Sequence, residues 1–177
     1  MQPRIPHQQA AERGPIRVDI EARLSEELAA VVAGARRRAL RDGDRLIDTA
    51  HLLHTLLESD PHVRAVFDSD PQVARLLGYL VQRSIGYGLR WQGSVEDSGA
   101  VPTVTEDGWS PVAAGAVEAA YERAVRRGDE LADAVDLLAS IVAEPESRAV
   151  EVLGRAGVDV RELLARIDSA AGQGIEA

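Results

Sequence analysis

The chain has 177 residues, 29 of them acidic against 20 basic, with no cysteine and a formal charge of −9. Without cysteine there is no disulfide framework, no thiolate-bound zinc and no thiol nucleophile. The acidic balance also lacks the clustered cations that grip phosphate backbones, so no nucleic acid is expected as a partner. Apolar residues make up 45% of the chain, which excludes a wholly disordered or collagen-like polymer and supplies a core for one or two small units.

Residues 1–20 contain three prolines and no apolar run of the length a secretory signal requires. They read as a flexible N-terminal arm on a cytoplasmic protein. No later stretch approaches the ~18 consecutive apolar residues of a membrane span, so no membrane is expected. From Leu24 the pattern turns helical: Leu28, Val31, Val32, Ala35 and Ala39 recur at spacings of three and four, Ser25 is placed to cap, and Gly43 stops the helix. A second helix follows Asp48 and Thr49, carries Leu52, Leu53, Leu56 and Leu57, and ends at Ser59-Asp60-Pro61. A short third helix is expected around His62 to Phe67 and a longer fourth from Pro71 to about Ser84. A glycine-punctuated connection then runs to Gly108, long for a compact domain and therefore functional, mobile or partly extended. Helical periodicity returns at Ser110-Pro111 and continues to about Ala170.

Sliding the chain against itself by 85 residues aligns Ser25 with Ser110, Gly43 with Gly128, Asp44 with Asp129, Leu46 with Leu131, Asp48 with Asp133 and Leu52-Leu53 with Leu137-Leu138. A shift of 84 then aligns Arg64-Ala65-Val66 with Arg148-Ala149-Val150. In each copy a helix ends in arginines, a glycine turns the chain, an aliphatic residue (Leu46 or Leu131) tucks back, and a capped second helix begins. Neither half has much core alone. The expectation is an all-α fold of two tandem four-helix repeats packed as one pseudo-twofold domain, with repeat one over 21–86, a connection over 87–108, repeat two over 109–170 and a tail over 171–177.

These pieces, ALRDGDRLIDTAHLLHTLL and AVRRGDELADAVDLLASIV with SIGYG, DGWSPVA and RAVEVLGRAGVDVRELLARI, resemble the double repeat at the N-terminus of Clp-type AAA+ unfoldases, from about Ala22 to Ala170. No Gly-x-x-x-x-Gly-Lys-Ser/Thr loop occurs, and a chain without lysine cannot make one. The resemblance implies a non-catalytic module that receives a client protein, a peptide or a component of a Clp protease system, and that assists or competes with the full machine. Its alternative is sequestration of a cyclic peptide or similar small molecule that targets the full-length unfoldase.

The resemblance also places candidate residues. Trp109 matches the aromatic at a ligand groove between the first helices of both repeats, Leu24 is its counterpart, and Val32 and Val117 would form an apolar floor or simply be core. Ala114 stands where some relatives have a lysine. Relatives that bind phosphorylated arginine resemble Gly-Thr-Glu-His at the start of each second helix, with the glutamate reading the guanidinium. Here the quartets are Asp48-Thr49-Ala50-His51 and Asp133-Ala134-Val135-Asp136, so Ala50 and Val135 stand where that carboxylate is needed and the family mode of phosphoarginine binding is not expected. Five of the six aromatics lie between Tyr79 and Tyr121. Tyr87 and Trp91 there form a second candidate recognition surface, or they pin the connection to the bundle.

Asp48, Asp133, Ser25 and Ser110 read as helix caps rather than catalytic groups. His51, His54 and His62 lack a matched acid or cysteine, so no metal is expected. No acid, base and nucleophile constellation points to an enzyme or to a cofactor.

Overall fold

The computed structural model describes residues 22–84, 96 and 108–173. Among them are eight helices and no extended strand: α1 Glu26–Asp42, α2 Thr49–Ser59, α3 Pro61–Ala65, α4 Asp70–Ser84, α5 Pro111–Arg127, α6 Ala134–Val142, α7 Arg148–Arg155 and α8 Val160–Gln173. Helices α1–α4 and α5–α8 are the two repeats. Tyr87, Trp91, the N-terminal arm and the last four residues lie outside the described set.

The first helices begin and end by the same devices. Ser25 Oγ accepts from the Leu28 amide at 3.1 Å, and Ser110 Oγ accepts from the Ala113 amide at 3.1 Å. At the other end Gly43 and Gly128 turn the chain at φ 74° and 94°, a region that L side chains rarely adopt. The next residue then reaches back to the helix, with Asp44 N on Ala39 O at 3.0 Å and Asp129 N on Ala124 O at 2.9 Å.

After each glycine turn the two repeats exchange backbone pairing. Ser25 N donates to Ala132 O at 2.8 Å and Ala132 N to Arg23 O at 2.9 Å. Ser110 N donates to Ile47 O at 2.9 Å and Ile47 N to Gly108 O at 2.6 Å. Each parallel bridge, Leu24 with Ala132 and Ile47 with Trp109, is therefore the 85-residue image of the other. This pairing corrects one expectation: Leu131 is 46% exposed and does not tuck back. The bridges turn Ile47 and Ala132 inward instead, which puts Leu131, the preceding residue, on the outside.

At the centre lie α2 and α6. Thr49 to Leu57 is buried without a break, as is Asp136 to Val142, the pattern of helices surrounded on all sides by protein. Leu52, Leu53, Leu56, Leu57, Leu137, Leu138 and Ile141 are fully enclosed. Each contributes on the order of 1.5–3 kcal/mol by leaving water. Around this pair α1 packs on α2 and α5 on α6, while α3 packs on α6 and α7 on α2. Each repeat thus lends a helix to the other's core, and neither can close its own.

The α3 and α7 pairing also revises the repeat register. Val63, Val66 and Phe67 are buried, as are Ala149, Val152 and Leu153, which sets an offset of 86 there. The Arg-Ala-Val identity at offset 84 would instead set exposed Ala65 against buried Ala149. Packing decides the register over letter matching.

Candidate docking sites

Three of the four groove candidates are core residues: Leu24 is 6% exposed, Val32 7% and Val117 5%. Trp109 is half-buried and packs against that same core, just where its backbone pairs with Ile47. Leu24 and Trp109 hold pseudo-equivalent places at the two bridges. Beside the first of these, Arg23 lies over the ring of Tyr121, 4.7 Å from its centroid, tying the entry of repeat one to α5.

Asp48 and Asp133 are N-caps, each accepting from the third helical amide, His51 N at 2.9 Å and Asp136 N at 2.8 Å. Their surroundings differ sharply. Asp48 is fully buried and meets the guanidinium groups of Arg83 and Arg148, the latter from repeat two at 2.5 Å. Burial alone would raise its pKa; the His51 hydrogen bond and the Arg83 charge outweigh that and hold the carboxyl well below the usual range. Asp133 is partly exposed and is pushed upward, chiefly by burial, with the Asp136 carboxylate adding to it against the Asp136 amide and Arg127.

His51 and Asp136 occupy the same position of the two repeats and do the same work. His51 Nδ1 accepts from Asp48 N at 3.0 Å, which leaves the proton on Nε2 to donate to Asp44 Oδ2 at 2.8 Å. Asp136 Oδ2 accepts from Asp133 N at 3.1 Å, and its two oxygens take Arg127 in a fork at 2.6 and 2.9 Å. The three histidines lie apart in environment: His51 and His54 are buried on α2, while His62 is exposed on α3. Among the described residues the donor trio that does converge is Asp42, Asp44 and His51. The His51 ring nitrogens there are already engaged by Asp48 and Asp44.

Two features stand out that the sequence did not reveal. The first is a cavity of about 760 Å³ between the repeats, lined by Ser25, Glu27, Asp60 and His62 from one and by Arg123, Arg127, Asp129, residues 133–136 and Ala170 from the other. It has five carboxylates against two arginines, and those arginines are engaged: Arg127 with Asp129 and Asp136, Arg123 with Asp168 at 2.8 Å. The cavity is electronegative. Val135, one of the two glutamate-position residues, lines it, whereas Ala50 is fully enclosed.

The second is Glu96, 1% exposed. Its carboxylate accepts from Thr49 N at 2.6 Å, Thr49 Oγ1 at 2.8 Å, Ser110 Oγ at 2.9 Å and Arg148 N at 2.8 Å. Thr49 and Arg148 open α2 and α7, and Ser110 caps α5, so three helix N-termini converge on one anion. No sequence signal separates Glu96 from the neighbouring Asp97; only the meeting of the three helix ends does.

Residues 109–177 match the family model of the Clp repeat (R) N-terminal domain. The second half of the chain is thus similar to a Clp repeat. The match opens on Trp109, and the 85-residue exchange shows that the first half is built to the same plan. No curated protein sequence matches the chain. Among solved structures, the N-terminal domain of the caseinolytic protease associated chaperone ClpD from Arabidopsis thaliana is similar at TM-score 0.56 and 20% identity, over 84% of this chain and 96% of that one. A structure from a malarial protein secretion system is similar at TM-score 0.59 and 13% identity, over 84% of this chain and 95% of that one. The whole described bundle thus shares the Clp N-domain fold. No helix among the described residues is long and apolar enough to cross a membrane.

Proposed function

We propose that this chain is a non-catalytic docking module that receives a peptide, adaptor or client of a Clp protease system and so assists or competes with a full-length unfoldase. The observation that carries this reading is the inter-repeat cavity. It is roomy enough for a long side chain, built from both repeats, and lined by an excess of carboxylates. Such a lining selects a cationic group, so the bound segment presents an arginine or lysine there. Trp109 offers a second contact, its indole half-buried at the other bridge.

Sequestration of a cyclic peptide would rest on Trp109 alone, because Leu24, Val32 and Val117 expose little surface to a ligand. A fluorescently labelled peptide series differing only in one residue (arginine, lysine, norleucine or glutamate) tests the docking reading. Binding of the two cationic members, weakened in Glu27→Gln/Asp133→Asn, supports it; equal binding of all four removes the cavity from the account. A thermal shift produced by cyclic peptides and lost in Trp109→Ala would favour sequestration instead.

A further inference from the structure

The donors that hold Glu96 have counterparts in the other half of the molecule. Ser110 corresponds to Ser25 and Thr49 to Ala134 at the 85-residue offset, and Arg148 to His62 at the offset of 86 that packing sets for α3 and α7. Ser25, Ala134 and His62 all line the 760 Å³ cavity. The Glu96 nest and the cavity are therefore the same place in the two halves of a pseudo-twofold fold, one filled by a carboxylate of the chain itself and one open among the described residues.

The filled site is built for an anion. Each hydroxyl is used twice in a consistent sense: Ser110 Oγ accepts from Ala113 N and donates to Glu96, and Thr49 Oγ1 accepts from Ala149 N at 3.0 Å and donates to Glu96. Four donors therefore point at two carboxylate oxygens, and none needs a proton on Glu96. The open counterpart differs where it matters. Ala134 has no hydroxyl, and acids surround it.

We propose that Glu96 is an intramolecular ligand. Its carboxylate occupies the oxyanion site at the α2, α5 and α7 N-termini, so that the domain presents one docking site, the acidic cavity, rather than two equivalent ones. With Glu96 removed, a small oxyanion from solution takes the same donors. That the cavity is the docking site rests on the function proposed above; occupation of the nest by Glu96 does not.

The test uses the full chain with Glu96→Ala, and with Glu96→Gln as a milder variant. Amide exchange and thermal midpoint are read with acetate, inorganic phosphate or chloride at matched ionic strength. In the parent chain the Thr49 and Arg148 amides exchange slowly and none of the salts shifts them. Glu96→Ala speeds exchange at both amides at least tenfold and lowers the midpoint, and acetate restores both saturably. Phosphate acting as well marks a general oxyanion site, and acetate alone marks one sized for a carboxylate; either outcome supports the proposal. Glu96→Ala with parental exchange, or with no response to either anion, overturns it. Should Glu96→Ala fail to fold, rapid Thr49 and Arg148 exchange in the parent chain overturns it and slow exchange there, lost in Glu96→Gln, supports it. Failure of cationic peptides to bind would remove the docking reading and leave these outcomes as they are.

Discussion

Arg148 joins the two repeats through Asp48, its guanidinium 2.5 Å from the Asp48 carboxylate while its backbone amide serves Glu96. Asp48 is thus more than a cap. Asparagine caps a helix about as well as aspartate, so if capping were its whole role Asp48→Asn would be nearly silent. The charges of Arg83 and Arg148 make the opposite expectation: the substitution removes the buried carboxylate that both guanidinium groups share, a charge-assisted contact worth about 1.5–3 kcal/mol in chemical denaturation. Asp133→Asn is the control. That carboxyl is raised by burial and by Asp136, so neutralising it should not destabilise the fold.

Acidification acts first through His54. Burial, with the Arg38 charge adding to it, lowers its pKa to about 4 from the ordinary 6.5, against the pull of Glu58. A histidine that is harder to protonate folded than unfolded contributes stability in full above pH 6.5, and loses it progressively as pH falls toward 4. Denaturation midpoints across that window should decline in the parent chain. His54→Leu should flatten the decline, and an unchanged slope would remove His54 as its source.

Separating the repeats should destroy both. Residues 109–173 alone would lose the bridges to Leu24 and Ile47 and the packing of α3 on α6 and α7 on α2. The fragment should show no cooperative unfolding transition by circular dichroism. A sharp melt comparable to the intact chain would contradict the intertwined core.

Phosphoarginine should not bind through the quartets at submillimolar concentration in calorimetric titration. Ala50 is enclosed and Val135 carries no charge, so neither can supply the charge-assisted hydrogen bond to a guanidinium that is worth about 1.5–3 kcal/mol. Tight binding lost on changing Thr49 or Asp136 would contradict this.

Helix periodicity, capping residues and the 85-residue repeat were legible because each is a local pattern or an identity between copies. The exchange of pairing was not, since nothing in Ile47 or Ala132 declares that its partner is the residue entering the other repeat's first helix. Leu131 was misplaced for the same reason: an aliphatic residue after a turn looks buried until the backbone bridge assigns the next residue to the core. The Arg-Ala-Val identity misled because a surface match competed with the buried spacing of Val63, Val66 and Phe67. Glu96 was invisible, being one acid in a glycine-rich segment whose donors come from three distant helix ends. Ala50 and Val135 were equivalent on paper, and the asymmetry between the filled nest and the open cavity separates them.

The docking claim is tested most directly by amide chemical-shift mapping of the intact chain with a short arginine-containing peptide. The account predicts saturable shifts at Ser25, Glu27, Val135 and Ala170 around the acidic cavity, reduced in Glu27→Gln/Asp133→Asn, with Thr49 and Ala149 beside Glu96 unmoved. Shifts confined to the surroundings of Trp109, or no shifts at all, would contradict it.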